Sequence, residues 1–272
     1  MKSSPGAPIG IFDSGIGGLT VVKSVMQALP NESIVYFGDT ARVPYGIKSA
    51  ETVKEYALQI TDFLLRKRVK MILIACNTVA ASARNAIEHK SGSVPVLDVI
   101  SAGAQAAAAL RHEHNMIGVI GTLATVGSGA YEDALKQQNP SLSVFSKACP
   151  MLVPLAEEGW IDNEVARATL DIYLRDFTHT RFDGLILGCT HYPLFRDQIM
   201  AYFNNPNLQI VDSADAIAAM AAEYLDNARL LNSAPDQTTF SCYVSDKPQR
   251  FQALAERFLG KNINRVEVVN MP

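Results

Sequence analysis

The chain is short of cysteine, of tryptophan and of surplus charge, and each shortage excludes something. Four cysteines in 272 residues, none of them in a Cys-x-x-Cys pair, are too few for a disulfide framework. They also lack the close-spaced Cys and His partners of a usual zinc set. A net charge of −3 with a pI near 6.0 gives no general attraction to nucleic acid or to an anionic membrane. No apolar run approaches the roughly 20 residues that cross a bilayer. The opening MKSSPGAPIGIF lacks the apolar stretch of a secretory signal. A cytoplasmic protein with free thiols is expected, with neither nucleic acid nor membrane as partner. Signatures of nucleotide chemistry and of serine hydrolysis are missing as well. There is no GxxxxGK[ST] loop and no GxSxG elbow. Gly15 and Gly17 begin a GxGxxG turn, but Thr20 stands where the third glycine belongs, so a dinucleotide-binding oxidoreductase rests only on Asp39 as a ribose-binding acid.

What is present is an ordinary globular composition, 48% hydrophobic and 19% charged, long enough for one large domain or two modest ones. Short apolar runs recur at Ile9–Phe12, Ile34–Phe37, Met71–Ala75, Val94–Leu97, Ile117–Ile120, Val144–Ser146, Leu185–Leu187, Ile210–Val211 and Phe240–Val244. Several are apolar without alternation (MILIA, IGVI, GLILG), as in parallel strands covered on both faces. Helical periodicity fills the gaps at Ala50–Arg66, Ser101–Arg111, Gly129–Gln137, Glu164–Phe177, Ala214–Asp226 and Gln249–Phe258. This alternation predicts an α/β doubly wound architecture with mainly parallel sheets. A weak internal repeat pairs KMILIACNTVAA with DGLILGCTHYPL, and GIFDSGIGG with GVIGTLATVGSG. It predicts two similar domains facing one another across a cleft, residues 1–98 plus 213–272 and residues 99–212.

In such sheets ligands sit at the carboxyl ends of the strands. The loops there carry the candidate residues. Asp13 and Ser14 follow the first strand, and Asp13 reads equally as a turn or cap carboxylate. Cys76, Asn77 and Thr78 follow the third; the thiol at a helix start is expected to feel positive partial charge, which favours thiolate. The plainer reading makes Cys76 core filler and Thr78 a helix cap. Cys189, Thr190 and His191 repeat the arrangement, with Pro193 suited to a first helical turn. Further polar groups lie at Asp39, Tyr45 and Gly46, at Thr122 and Thr125, and at Glu157 and Glu158 in an expected Pro154–Gly159 turn. Cys149 and Cys242 read as small buried hydrophobes.

Two thiols at the ends of two strands suit one chemistry in particular. Inverting an amino acid removes the Cα proton on one face and returns a proton on the other, so without a pyridoxal electron sink two acid/base groups must flank one carbon. An unperturbed thiol, with a pKa of about 8.5, reaches both forms with modest tuning. A cysteine hydrolase with Cys189 as nucleophile and His191 as base has awkward two-residue spacing and leaves the Cys76 loop unexplained. Two further readings are metal ligation by Cys189 and His191 and a plain small-ligand binding module.

The segments IGIFDSGIGGLTV, VYFGDTARVPYG, IACNTVAA, GVIGTLATVGSGAY, VPLAEEGW and LGCTHYPL, in this order from residue 9 to about residue 228, resemble the glutamate racemases of the cofactor-independent aspartate/glutamate racemase superfamily. The resemblance implies two-base transfer at Cα of glutamate, supplying D-glutamate for bacterial peptidoglycan, with no cofactor and no metal. It places Cys76 on the D side and Cys189 on the L side, with Asp13 and His191 as further catalytic acid/base groups. Substrate contacts are implied for Asp13, Ser14, Tyr45, Gly46, Asn77, Thr78, Thr190 and His191, with Thr122 or Thr125 adding to these. Asp39 and one of Glu157 or Glu158 are implied as auxiliary groups. Family members are often dimers, so a homodimer is expected. A racemase for aspartate is the rival within the same fold.

Overall fold

The continuous apolar runs do form strands buried on both faces, because helices cover each side of the sheets. A computed structural model describes residues 4–234, 238–260, 262–263 and 266–271. The chain begins with β1 (Ile9–Asp13), α1 (Leu19–Ala28), β2 (Ile34–Gly38), α2 (Ala50–Arg66), β3 (Met71–Ile74), α3 (Asn77–Ser91) and β4 (Val96–Asp98). It continues through α4 (Val99–Ala108), β5 (Met116–Gly121), α5 (Leu123–Gly127), α6 (Ala130–Gln138), β6 (Ser143–Ala148), α7 (Leu152–Glu158) and α8 (Glu164–Leu174). It ends with β7 (Gly184–Gly188), α9 (Arg196–Phe203), β8 (Gln209–Asp212), α10 (Ser213–Asn227), β9 (Phe240–Val244), α11 (Pro248–Leu259) and β10 (Val266–Val268).

Two sheets result, ordered β10-β9-β2-β1-β3-β4 and β6-β5-β7-β8, and the strand pairs in both are parallel. In each, the strands leading into the candidate loops are central: β1 and β3 in one, β5 and β7 in the other. The chain passes from the first sheet into α4 at Asp98, and from the second into α10 at Asp212. Both aspartates end a strand and cap the next helix, Asp98 accepting from the amides of Ile100 and Ser101 and Asp212 from that of Ala214. These caps satisfy amides that a helix start leaves without partners. The two helices pack on each other. One apolar core runs from the first sheet through this helix pair to residues of the second sheet, including Ile117, Val119 and Ile186. A second core, with Ile120, Leu152, Leu185 and Phe195, covers the remaining face.

Four local expectations need correction. The run expected as a strand at Val94–Leu97 pairs only from Val96, since Pro95 has no N–H to donate. The helix expected from Ser101 starts two residues earlier, at Val99, where the Asp98 cap sets it. The turn expected at Pro154–Gly159 is the end of α7. Pro154 sits in its first turn, where a missing N–H costs nothing, and Gly159 ends it at φ 76°. The edge strand β10 was not expected, because Val266–Val268 is too short to show a pattern.

Candidate active site

The loop after β1 folds back on itself. The Gly15 amide donates to Asp13 Oδ2 at 2.9 Å, and the Tyr36 hydroxyl donates to the Gly15 carbonyl at 2.8 Å. Burial raises the Asp13 carboxyl above its ordinary range, opposed by the charge of His191 and by amide donors from Gly15, Gly18 and Ser14. The glycines of this loop have a packing reason unrelated to a pyrophosphate. A Cβ at Gly17 would come within 2.6 Å of His191 Nδ1, so the bare backbone is what lets the two halves of the site meet.

Cys76 caps α3 from the end of β3, is 5% exposed, and has its Sγ 3.6 Å from Ser14 Oγ. The expected thiolate is not what the surroundings favour. Burial first, and the charge of Asp13 second, push this thiol up to about 12, outweighing the hydrogen bond from the Val79 amide and the one shared with Ser14. Next to it Asn77 is buried. Its Oδ1 accepts from the Tyr131 hydroxyl at 2.7 Å, while its Nδ2 has no hydrogen-bond partner among the described residues. Thr78 Oγ1 meets Thr122 Oγ1 at 3.1 Å across the two halves. Thr122 in turn caps α5 by accepting from the Thr125 amide.

Cys189 follows β7 and is 5% exposed. Its Sγ lies 3.8 Å from His191 Nδ1, and His191 Nε2 lies 3.3 Å from Glu157 Oε1, at ion-pair distance but without hydrogen-bond alignment. Burial alone would lower the basicity of His191. The contacts with Cys189 and Glu157, and the charge of Asp13, more than offset it and lift the imidazole to about 10. The ring is therefore an imidazolium at neutral pH, which puts positive charge beside the Cys189 sulfur. The loop is bolted down by the Tyr192 hydroxyl, within hydrogen-bonding distance of the carbonyls of Gly121 and Cys149.

These groups converge on one cavity of ≈ 220 Å³ at the carboxyl ends of β1, β3, β5 and β7. Of the residues expected in the site, Ser14, Tyr45, Gly46, Cys76, Asn77, Thr78, Thr122, Glu157, Cys189, Thr190 and His191 line it. Asp13 lies behind the wall, within 3.5 Å of the Thr190 hydroxyl. Thr125 stands behind Thr122, with their hydroxyl oxygens 3.0 Å apart. Asp39 lies behind Tyr45, whose hydroxyl it accepts along with Arg42 and Ser245 donors. Glu158 is exposed at the end of α7 and does not line the cavity. The apolar wall of Val43, Pro44, Ile47, Leu123, Pro150 and Val153 was not foreseen as lining. These side chains are exposed or half-buried at loops and helix starts, and scattered apolar residues there carry no pattern that separates a pocket wall from ordinary surface. Among the described residues no cluster of His, Cys, Asp and Glu is placed to hold a metal ion, and no helix is long and apolar enough to cross a membrane.

One thiol from each of two parallel sheets, facing a single small polar-ended cavity, defines an amino-acid racemase site. The chain belongs to the Asp/Glu/Hydantoin racemase family, whose sequence profile matches residues 9–221. It is 51% identical over 271 residues to the glutamate racemase of Syntrophus aciditrophicus, covering 99% of each chain. It superposes on the glutamate racemase of Francisella tularensis in complex with D-glutamate with a TM-score of 0.92, at 38% identity over 98% of each chain. A glutamate racemase isoform from Bacillus anthracis gives a TM-score of 0.93 at 36% identity, over 100% of this chain and 99% of the other.

Proposed function

We infer that this chain interconverts L- and D-glutamate by proton transfer at Cα between two thiols, supplying D-glutamate for peptidoglycan. The observation that carries the reading is that Cys76 and Cys189 line one cavity from opposite sheets. With L-glutamate bound, Cys189 as thiolate takes the Cα proton and becomes a thiol. The electron pair left on Cα delocalises into the α-carboxylate. Cys76, a thiol at the start, gives its proton to the opposite face and becomes the thiolate from which the reverse reaction begins. The imidazolium of His191 supports charge on Cys189, and Glu157 holds that imidazolium. Asp13 acts on Cys76 in the opposite sense, its charge favouring the thiol that donates the proton.

The unpartnered Nδ2 of Asn77 suits a carboxylate oxygen, because a buried donor without an acceptor is costly and a ligand relieves it. The amides at the start of α3 add to this, where charge develops in the transition state. Ser14, Thr78 and Thr190 offer further hydroxyls to the amino-acid end. Tyr45, Gly46 and Thr122 receive the side-chain carboxylate, with Asp39 and Thr125 acting through Tyr45 and Thr122. The chain works in the cytoplasm as a homodimer of two α/β domains, residues 1–98 plus 213–272 and residues 99–212. The all-parallel sheets drawn from those segments support that division.

The test is exchange. Purified, reduced protein without added cofactor should incorporate deuterium at Cα of either glutamate enantiomer in heavy water, with optical rotation decaying to zero. Protein that is folded and reduced yet exchanges nothing would sink the reading. Faster exchange with aspartate than with glutamate would reassign the substrate.

A further inference from the structure

One side chain outside the cavity touches both cysteine loops. Tyr131, on α6, is 2% exposed and does not line the cavity. Its hydroxyl donates to Asn77 Oδ1 at 2.7 Å, one residue past Cys76. Its ring lies against Gly188, one residue before Cys189, so closely that a Cβ there would sit 2.9 Å from the ring edge. A third contact reaches α4, where a Cβ at Gly103 would lie 3.4 Å from the same ring. The phenol is thus wedged between the end of β3 in one sheet and the end of β7 in the other.

We propose that Tyr131 is a positioning residue for the racemase reaction, orienting the Asn77 amide towards the substrate carboxylate and setting the spacing of the two thiol loops. The proposal rests on the functional reading above. Its logic is one of donors and acceptors. An amide can turn over and exchange its oxygen and nitrogen. With Oδ1 committed to the Tyr131 proton, Nδ2 is the end left to face a ligand, and it is the end found without a partner. Burial holds the phenol far above its ordinary titration range, so it stays a donor at any working pH. Without that proton the hydrogen bond that holds Oδ1 towards α6 is lost.

Tyr131→Phe keeps the ring and its packing on Gly188 and removes only the hydroxyl. It should weaken glutamate binding by about five- to tenfold, the worth of one oriented hydrogen bond, read as a higher KM and a higher calorimetric Kd for D-glutamate. A purely structural role would not produce the second result, obtained in a double-mutant cycle. Asn77→Ala removes the amide, and in that background Tyr131→Phe should change binding less than twofold, since there is no amide left to orient. Additive losses overturn the proposal, as does a Tyr131→Phe protein that binds and turns over glutamate normally. If Tyr131→Phe fails to fold, the side-chain amide protons of Asn77 in the unaltered protein decide. They should shift on adding D-glutamate, and unshifted signals refute the orientation. Failure of the unaltered protein to bind or racemise glutamate overturns the functional reading and this proposal together, whereas additivity in an active enzyme overturns this proposal alone.

Discussion

Replacing Glu157 by Gln should move the alkaline limit of the reaction without emptying the site. His191 is held at about 10 against the pull of burial, with Glu157 3.3 Å from its Nε2. Two unit charges at that distance attract by about 5 kcal/mol at an effective dielectric near 20. Glu157 is 28% exposed, so water removes part of that. A single opposite charge this close typically shifts a pKa by about 1–3, or about 1.4–4 kcal/mol. In Glu157→Gln the imidazolium then titrates between about 7 and 9. At pH 9 about 90% of His191 is protonated in the unaltered protein, against about 1–50% in the variant. The sign follows from the raised value: the positive charge beside Cys189 is present at low pH and lost as pH rises through it. Cys76, held up to about 12, stays a thiol over this range and does not blur the reading. The assay is racemisation of L-glutamate followed by optical rotation from pH 6 to 10. The alkaline limb should fall near pH 10 in the unaltered protein and one or more units lower in the variant. An alkaline limb at the same pH in both would refute the charge assignment.

Other outcomes follow from the same geometry. Cys76→Ala and Cys189→Ala should each lower racemisation by at least about 10³-fold, whereas Cys149→Ala and Cys242→Ala should keep most activity; a Cys76→Ala enzyme near the normal rate would end the two-base scheme. Asp13→Asn should cut activity by about 10²-fold while thermal stability at pH 7.5 holds or rises. The raised carboxyl contributes stability only below its unfolded value and loses it as pH climbs through the folded one, so the buried charge is a burden at neutrality; a large fall in melting temperature would contradict this. Lys70→Ala should cost about 3–5 kcal/mol in urea unfolding. It strands Glu32, 2.5 Å away at less than a tenth exposure, and frees the carbonyls of Pro5 and Leu230 that the ammonium ties together; a loss below about 1 kcal/mol would show the pair to be dispensable.

The strands that carry the site were legible because they are buried on both faces, which leaves an uninterrupted apolar run that few other environments produce. MILI and GLILG are such runs, and both are wholly buried. Helix starts were less legible. Val99 and Ser213 read as interior or loop residues until Asp98 and Asp212 are seen accepting their neighbours' amides. The residues that hold the site from behind left no local trace. Tyr36, Tyr131 and Tyr192 sit 21, 54 and 71 positions from groups they hold, and no spacing rule reaches that far. The ionisation of Cys76 is hidden from the sequence for a related reason. The helix start is visible in sequence, but the depth of burial and the Asp13 charge that outweigh it exist only in the fold.

The two thiols differ in a way that their matching sequence contexts conceal. ACNT and GCTH look like two copies of one loop, and a symmetric pair of thiols would be the simple deduction. Yet the neighbours differ in sign. Cys76 has the Asp13 carboxylate as its main charged neighbour, and that neighbour favours the thiol. Cys189 has an imidazolium 3.8 Å from its sulfur, a neighbour of the opposite charge. A two-base racemase needs one proton shared between its two sulfurs, and identical surroundings would leave both thiols or both thiolates as competing idle states. Opposite charges resolve that competition before substrate arrives. Much of the difference comes down to position 191, where one loop carries His191 and the other, two residues past Cys76, carries Thr78. His191→Thr, which makes the loops alike there, should therefore slow the reaction from L-glutamate more than the reaction from D-glutamate in initial rates at saturating substrate. Equal slowing in both directions would show that the resting asymmetry plays no part in the turnover.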